Sequence, residues 1–338
     1  MTFWRRLTRG DTLPSRDSAF PGGTPRPPRP GPHGPEPPAT ATAEVAGALR
    51  SGDPVVALET TLVSHGFSGG RGLAAARAAE ERVRAAGAVP ATIGIVDGTV
   101  RAGLSDAELE RFAEAGPGAR KVGSRDIAAC VVQGALGATT VGGTLAVCRA
   151  LGIRFLGTGG IGGVHRGFAD SLDISGDLLQ IARTPAVVVC SGAKSILDVD
   201  ATAELLETLG VPVLGWSTPT LPVFYSAEGG PAVPAVVTTS GEVARVALTQ
   251  WQLDQSSGLL LARPPASGLD IEPVVAEAVR RVRQEGVTGQ AVTPAVLALV
   301  EELSDGRSVE VNQRLIADNA ALAAEVAVAY AGLAAGQR

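Results

Sequence analysis

From Thr40 onward, short apolar runs alternate with longer segments in which charged residues recur on one side. Pro54–Leu58 (PVVAL), Ala91–Val96, Ile153–Leu156, Ala186–Cys190, Val211–Leu214 and Gly258–Ala262 have the length and apolarity of buried strands. Lys121–Val122 and Thr139–Val141 read as shorter ones. Helices are expected over Ala41–Ser51, Gly72–Ala86, Ser105–Glu114 and Glu242–Leu253, with another capped by Ser124. Ser105 and Glu108 have the spacing of a capping box. From Ile271 to the end the chain reads as three helices. Repeated strand–helix alternation predicts an α/β fold with a largely parallel central sheet and helices on both faces.

The first 39 residues break this pattern. Ten of the chain's 23 prolines and five glycines fall within the first 40 positions. Such a stretch buries no core and reads as a disordered, solvated tail, dispensable or a docking ligand for a proline-binding module. Residues 40–338 then form a single domain. Net charge is −5 overall, and about −8 without the arginine-rich tail. An acidic body argues against nucleic acid as partner, because neutralising phosphates needs a basic face. Three cysteines, Cys130, Cys148 and Cys190, are odd in number and widely spaced, with no CxxC pair. Neither a disulfide framework nor a zinc cage is expected, which fits a reducing, cytoplasmic compartment. No continuous apolar run of membrane-spanning length is seen, and no apolar stretch follows the basic N-terminus as in a secretion signal.

In parallel sheets ligands bind beyond the carboxyl ends of the strands, and the unusual residues cluster there. Glu59 follows PVVAL, where desolvation would suit a general acid; a satisfied buried glutamate is the alternative. Gly157–Gly167 follows IRFL and contains a formal G-x-G-x-x-G. No helical pattern opens at its third glycine, so a backbone nest for a phosphate, flanked by His165 and Arg166, or a tight loop reads better than a dinucleotide site. Asp173 and Asp177 enclose Ser175 and suit either an oxygen-liganded divalent ion or ordinary helix caps. His65 and His33 lack zinc spacing.

Lysine is the rarest charge: 27 arginines accompany only two lysines, Lys121 and Lys194. A lysine kept against that bias suggests chemistry that arginine cannot perform, since an amine can lose its proton and attack a carbonyl. Lys194, in SGAKS after an apolar strand, is the stronger candidate, because burial there would lower its pKa.

ALETTLVSHG, GAVPATIGIVDG, KVGSRDI, GATTVGGT, GTGGIGGVHRG, DISGDL and CSGAKSILD appear in the order seen in the pseudouridine-5'-phosphate glycosidases, which are related to indigoidine synthase A. The resemblance covers about Ala41 to Ala331. It implies a three-layer α/β/α homotrimer with manganese. It also implies reversible cleavage of pseudouridine 5'-phosphate to uracil and ribose 5-phosphate through a lysine adduct of the Schiff-base type. By motif, Lys194 matches the covalent lysine, Glu59 the proton donor and Asp173 the metal ligand. Lys121, Val141, Ser175, Gly176 and Asp177 match substrate contacts. Thr158 and His165 would face the ribose phosphate, and Asn319 the base. Thr60, Gly176 and Asp318 stand where serine, alanine and asparagine are common in the family. Read from the residues alone, a Schiff-base aldolase or a non-catalytic nucleotide-binding protein stays possible.

Overall fold

A computed structural model of the chain describes residues 39–67, 70–253, 256–269, 271–287 and 292–336. The tail, apart from Ala39, and His33 lie outside the described residues.

Among the described residues the main sheet has eleven strands. Nine lie in the order Ala39–Ala41, Thr99–Ala102, Val89–Val96, Val55–Glu59, Phe155–Gly157, Val187–Cys190, Leu259–Ala262, Val213–Trp216 and Ala235–Val237. Gly137–Thr139 and Arg120–Val122 branch from Val89–Val96. Every pairing is parallel except those of Val89–Val96 with Thr99–Ala102 and with Gly137–Thr139. All residues of Val55–Glu59, Val187–Cys190 and Leu259–Ala262 are buried. Both faces are therefore covered, as parallel strands require. Each Val or Leu so buried contributes roughly 1.5–3 kcal/mol.

Helices form the outer layers and complete the α/β/α sandwich. Arg71–Ala85, Arg307–Ala335 and Ser240–Gln252 pack side by side in one layer, and Val141–Leu151, Gly176–Arg183 and Val199–Thr208 in the other. Arg307–Ala335 buries a stripe of small and branched residues, including Leu315, Ile316, Ala320, Ala323 and Ala327, against the central strands. A Cβ on Gly157 would lie 2.8 Å from the Ala320 Cα. The alanine-rich composition thus lets helix and sheet approach closely. Although its sequence shows no unbroken apolar run, this 29-residue helix is long and apolar enough to cross a membrane. Half of the qualifying window is buried inside the fold, as befits a core helix.

Three local expectations change. Ser124 opens a single 3-10 turn, Ser124–Asp126, and does not cap the helix Ile127–Val132 that follows. Val141 opens the helix Val141–Leu151 rather than closing a strand, because Thr140 caps it by accepting from the Gly143 N–H. The strand Thr99–Ala102 returns as a hairpin through Asp97 and Gly98, both at positive φ (51° and 76°). That Asp-Gly pair is a strong hairpin signal that the strand–helix reading passed over.

Sheet register builds the site. Leu58 pairs with Gly157, and Gly157 with Val189. The next residues, Glu59, Thr158 and Cys190, therefore lie level at the carboxyl edge.

Candidate active site

A cavity of about 440 Å³ opens at that edge, and Glu59, Lys121, Thr158, His165, Asp173 and Lys194 all line it. Segments more than a hundred residues apart in sequence supply them. The cavity holds both lysines of the chain.

Glu59 is 4 % exposed. One carboxylate oxygen accepts from the Thr158 hydroxyl at 2.5 Å, and the other from the Thr61 hydroxyl, in the short helix Thr61–His65 that follows. Two hydroxyls thus fix the carboxylate's plane. Thr158 is itself held, its N–H donating to the Val189 carbonyl and its carbonyl accepting from Asn319 Nδ2 at 2.8 Å. Thr60, in the family's usual serine position, keeps its hydroxyl in use: it donates to the Ile93 carbonyl and accepts from the Thr139 N–H.

Both lysines are half-buried. Burial, then the charge of Lys194, push the Lys121 amine below its ordinary value, against the pull of Asp177, Glu59 and Asp173. The same field reaches two histidines. Burial, followed by repulsion from Lys121, lowers His65. Burial also lowers His165, with Asp173 opposing and Lys121, Lys194 and Arg283 adding to the depression. Both imidazoles are consequently neutral near pH 7. The unfolded chain takes up these protons at higher pH than the fold does, so stability is lost as pH falls from about 6.5 through the lowered values. Lys121→Met removes a shared repulsion. Proton NMR is expected to show the midpoints of His65 and His165 rising together; unmoved midpoints would disprove the coupling.

Asp173 and Asp177 differ sharply. Asp177 is 6 % exposed and both oxygens are engaged. Oδ1 accepts from the Gly142 N–H at 2.7 Å and Oδ2 from the Gly162 N–H at 2.9 Å. It clamps the start of one helix to the glycine run, where the helix dipole favours its charge. Ser175 caps the helix Gly176–Arg183 by accepting from the Asp177 N–H. A Cβ on Gly176 would meet nothing within 4 Å, so the usual alanine would fit there. Asp173 is more open, 36 % exposed in its side chain, with Oδ2 3.9 Å from His165 Nδ1. Among the described residues no group of three His, Cys, Asp or Glu is gathered as for a metal cage. One open carboxylate fits a hard divalent ion that keeps most of its waters, not a closed protein site.

Much of the glycine run's amide set is already in use, although Gly159, Gly160 and Gly162 line the cavity. The N–H groups of Thr158, Ile161, Gly162, Val164 and His165 already donate within the fold. Its glycines answer to space: a Cβ on Gly160 would lie 2.6 Å from the Phe224 ring, and one on Gly162 2.3 Å from Ser175 Oγ. No helix opens at the third glycine, consistent with the weak dinucleotide signal.

Asn319 stands apart from its expected role. It is fully buried, does not line the cavity, and donates from Nδ2 to the Thr158 carbonyl and to Ser191 Oγ. Asn312, two helical turns earlier on the same face, lines the cavity instead. Asp318, where the family commonly has asparagine, bridges Arg82 at 3.1 Å and Arg263 at 3.3 Å, which accounts for the acid. The Val141 side chain is buried, while Thr140 and Gly142 beside it line the cavity. His65, dismissed for want of zinc spacing, lines it too, with a buried Nε2 that has no hydrogen-bond partner.

A three-layer α/β/α sandwich with lysines, carboxylates and hydroxyls converging at its strand ends defines an enzyme of the α/β class. The chain belongs to the indigoidine synthase A like protein family, whose model matches residues 44–329. It is 47 % identical over 297 residues to a Chloroflexus aurantiacus protein named pseudouridine-5'-phosphate glycosidase, covering 84 % of this chain and 96 % of that one. Among solved structures, it resembles the prealnumycin C-glycosynthase AlnA in complex with ribulose 5-phosphate (TM-score 0.81, 39 % identity, covering 89 % of this chain and all of that one). It also resembles an indigoidine synthase A-like protein from Thermotoga maritima (TM-score 0.78, 36 % identity, covering 86 % and 95 %).

Proposed function

We propose that the chain cleaves pseudouridine 5'-phosphate with water to uracil and ribose 5-phosphate, reversibly, through a covalent adduct on Lys194. The observation that carries the reading is the convergence of Lys194, Glu59 and Lys121 in one cavity of a chain whose relatives bear the glycosidase name. The neighbour that holds ribulose 5-phosphate is named a C-glycosynthase, which fits a site able to handle a pentose phosphate and a bond to carbon.

The substrate's ribose is joined to uracil through carbon, so there is no glycosidic nitrogen or oxygen to protonate as in ordinary glycosidases. In the proposed sequence Glu59 donates a proton as the ribose C1'–O4' bond opens, and the Lys194 amine bonds to C1'. The C1'–C5 bond then breaks, its electron pair staying with the uracil carbon, which takes up a proton. The Lys194 nitrogen lone pair forms the C=N bond that relieves the electron deficit, and water releases ribose 5-phosphate. Lys121 would hold the phosphate, using a remote handle to orient the ring. His165 would lie beside the ribose and Asn312, rather than Asn319, beside the base. Asp173 would hold a water-rich manganese ion, whose chemistry is to order substrate oxygens.

Incubation with pseudouridine 5'-phosphate should release uracil in step with ribose 5-phosphate. Absence of uracil, with cleavage of a sugar phosphate instead, would favour a Schiff-base aldolase. Tight binding without turnover would mark a binding protein. The reading extends to a homotrimer, for which light scattering should return three copies.

A further inference from the structure

Lys194 lies in the segment 191–197 that leaves the strand Val187–Cys190. One side of this segment is stitched to the glycine run. Ala193 bridges Ile161, the Lys194 N–H donates to the Ile161 carbonyl at 3.1 Å, and Leu197 pairs with His165. The other side is held differently. Arg166 Nη2 donates to the Ser195 carbonyl at 2.8 Å and Nε to the Leu197 carbonyl at 3.2 Å. The third nitrogen, Nη1, donates to Glu272 Oε1 at 2.8 Å. The fork thus grips the carbonyls one and three residues beyond the lysine, and a carboxylate anchors it.

The Phe224 N–H holds the start of the segment through the Ser191 carbonyl, and Gly192 bridges Val223. Past Lys194, the Arg166 fork is the side-chain hold seen among the described residues. The Ser195 hydroxyl, on a residue only 4 % exposed, has no hydrogen-bond partner. Behind the segment lies a second cavity of about 540 Å³, lined by Arg166, Ser195, Leu197, Tyr225 and Glu272. Ser195 and Leu197 border that cavity, and the Arg166 fork ties their carbonyls.

We propose that Arg166, anchored by Glu272, is a positioning residue that fixes the main chain around Lys194 and so aims its amine at the sugar carbon. The inference rests on the reading of Lys194 as the nucleophile. Only the rigid guanidinium fork spans two carbonyls and a carboxylate at once; a lysine ammonium, on a flexible stem, does not reproduce it. Misplacement of a reacting group by about 1 Å can cost on the order of 10²-fold in rate.

Three variants test this. Arg166→Lys keeps the charge but not the fork, and is expected to lower kcat about 10- to 100-fold with little change in KM. Borohydride trapping of ribose 5-phosphate should slow in parallel. Arg166→Ala opens a guanidine-sized space onto the second cavity, so millimolar methylguanidinium should restore part of its kcat, which it would not do for mere loss of fold. Glu272→Gln, at a half-exposed carboxylate, covers the case in which Arg166→Ala does not fold, and should lose several-fold in kcat. Wild-type kcat and trapping rate in Arg166→Lys, or a loss confined to KM, would overturn the proposal. Failure of the underlying reading looks different: the unaltered enzyme would turn over without being trapped, while the kcat–KM split would still judge the clamp.

Discussion

Lys194→Arg is expected to abolish uracil release, by about 10³-fold or more, while the protein keeps its melting temperature within a few degrees. The position sits in a cavity wall and is half-buried, so a longer side chain has room to turn outward. Its segment is held by main-chain bonds, those from Lys194 to Ile161 and from Leu197 to Lys194, and the fold does not depend on the ammonium. What changes is chemistry. Arginine keeps the positive charge and would preserve any role in holding phosphate, but it stays protonated and forms no imine. Borohydride with ribose 5-phosphate followed by peptide mapping should label position 194 in the wild type and nothing in the variant. Substantial turnover by Lys194→Arg would exclude covalent catalysis.

Glu59→Gln should lower kcat by about 10²–10⁴-fold with KM nearly unchanged. Glutamine matches glutamate in shape, and one amide atom still accepts a hydroxyl hydrogen bond. The other becomes a donor, so either the Thr158 or the Thr61 hydroxyl must turn to accept. Hydroxyls rotate readily, so the strand end survives and the proton donor is lost. A pure rise in KM would identify Glu59 as a binding residue instead. Thr158→Val gives the complement: it keeps the carboxyl but frees one oxygen, and a smaller fall in kcat is expected from loss of orientation alone.

Much of the architecture was legible because its signals are local. A buried parallel strand must be apolar on both faces, so PVVAL and AVVVC announced themselves. Ser105 and Glu108 did form the expected capping box. Glu59, Lys121 and Lys194 could be singled out because strand ends face the ligand edge in this topology and because lysine is so scarce in this chain; Asp173 stood out through its family motif. Readings stayed open where a residue's role depends on what lies across a gap in sequence. The Gly157–Gly167 run could be a phosphate nest or a tight loop on sequence, and only the fold shows that Phe224, Ser175 and Thr202 fill the space that Cβ atoms would need. Asp177, matched by motif to a substrate contact, lines the cavity, and only the fold shows that the Gly142 and Gly162 amides also bind its two oxygens.

The pair Asn312 and Asn319 shows the division most clearly. Helical periodicity puts both on one face of Arg307–Ala335 and says that this face looks toward the sheet. It cannot say which of the two meets the cavity and which the core, because that depends on where the helix crosses the strand ends. Likewise the chain itself specified two lysines, a carboxylate after a buried strand and the order of its layers. Only packing decided that Lys121 would feel Lys194, that Arg166 would hold the lysine's backbone, and that His65 would join the wall. Strand and helix are written in nearest-neighbour patterns, whereas charge coupling, desolvation and clearance arise from atoms that the chain brings together only once it has folded.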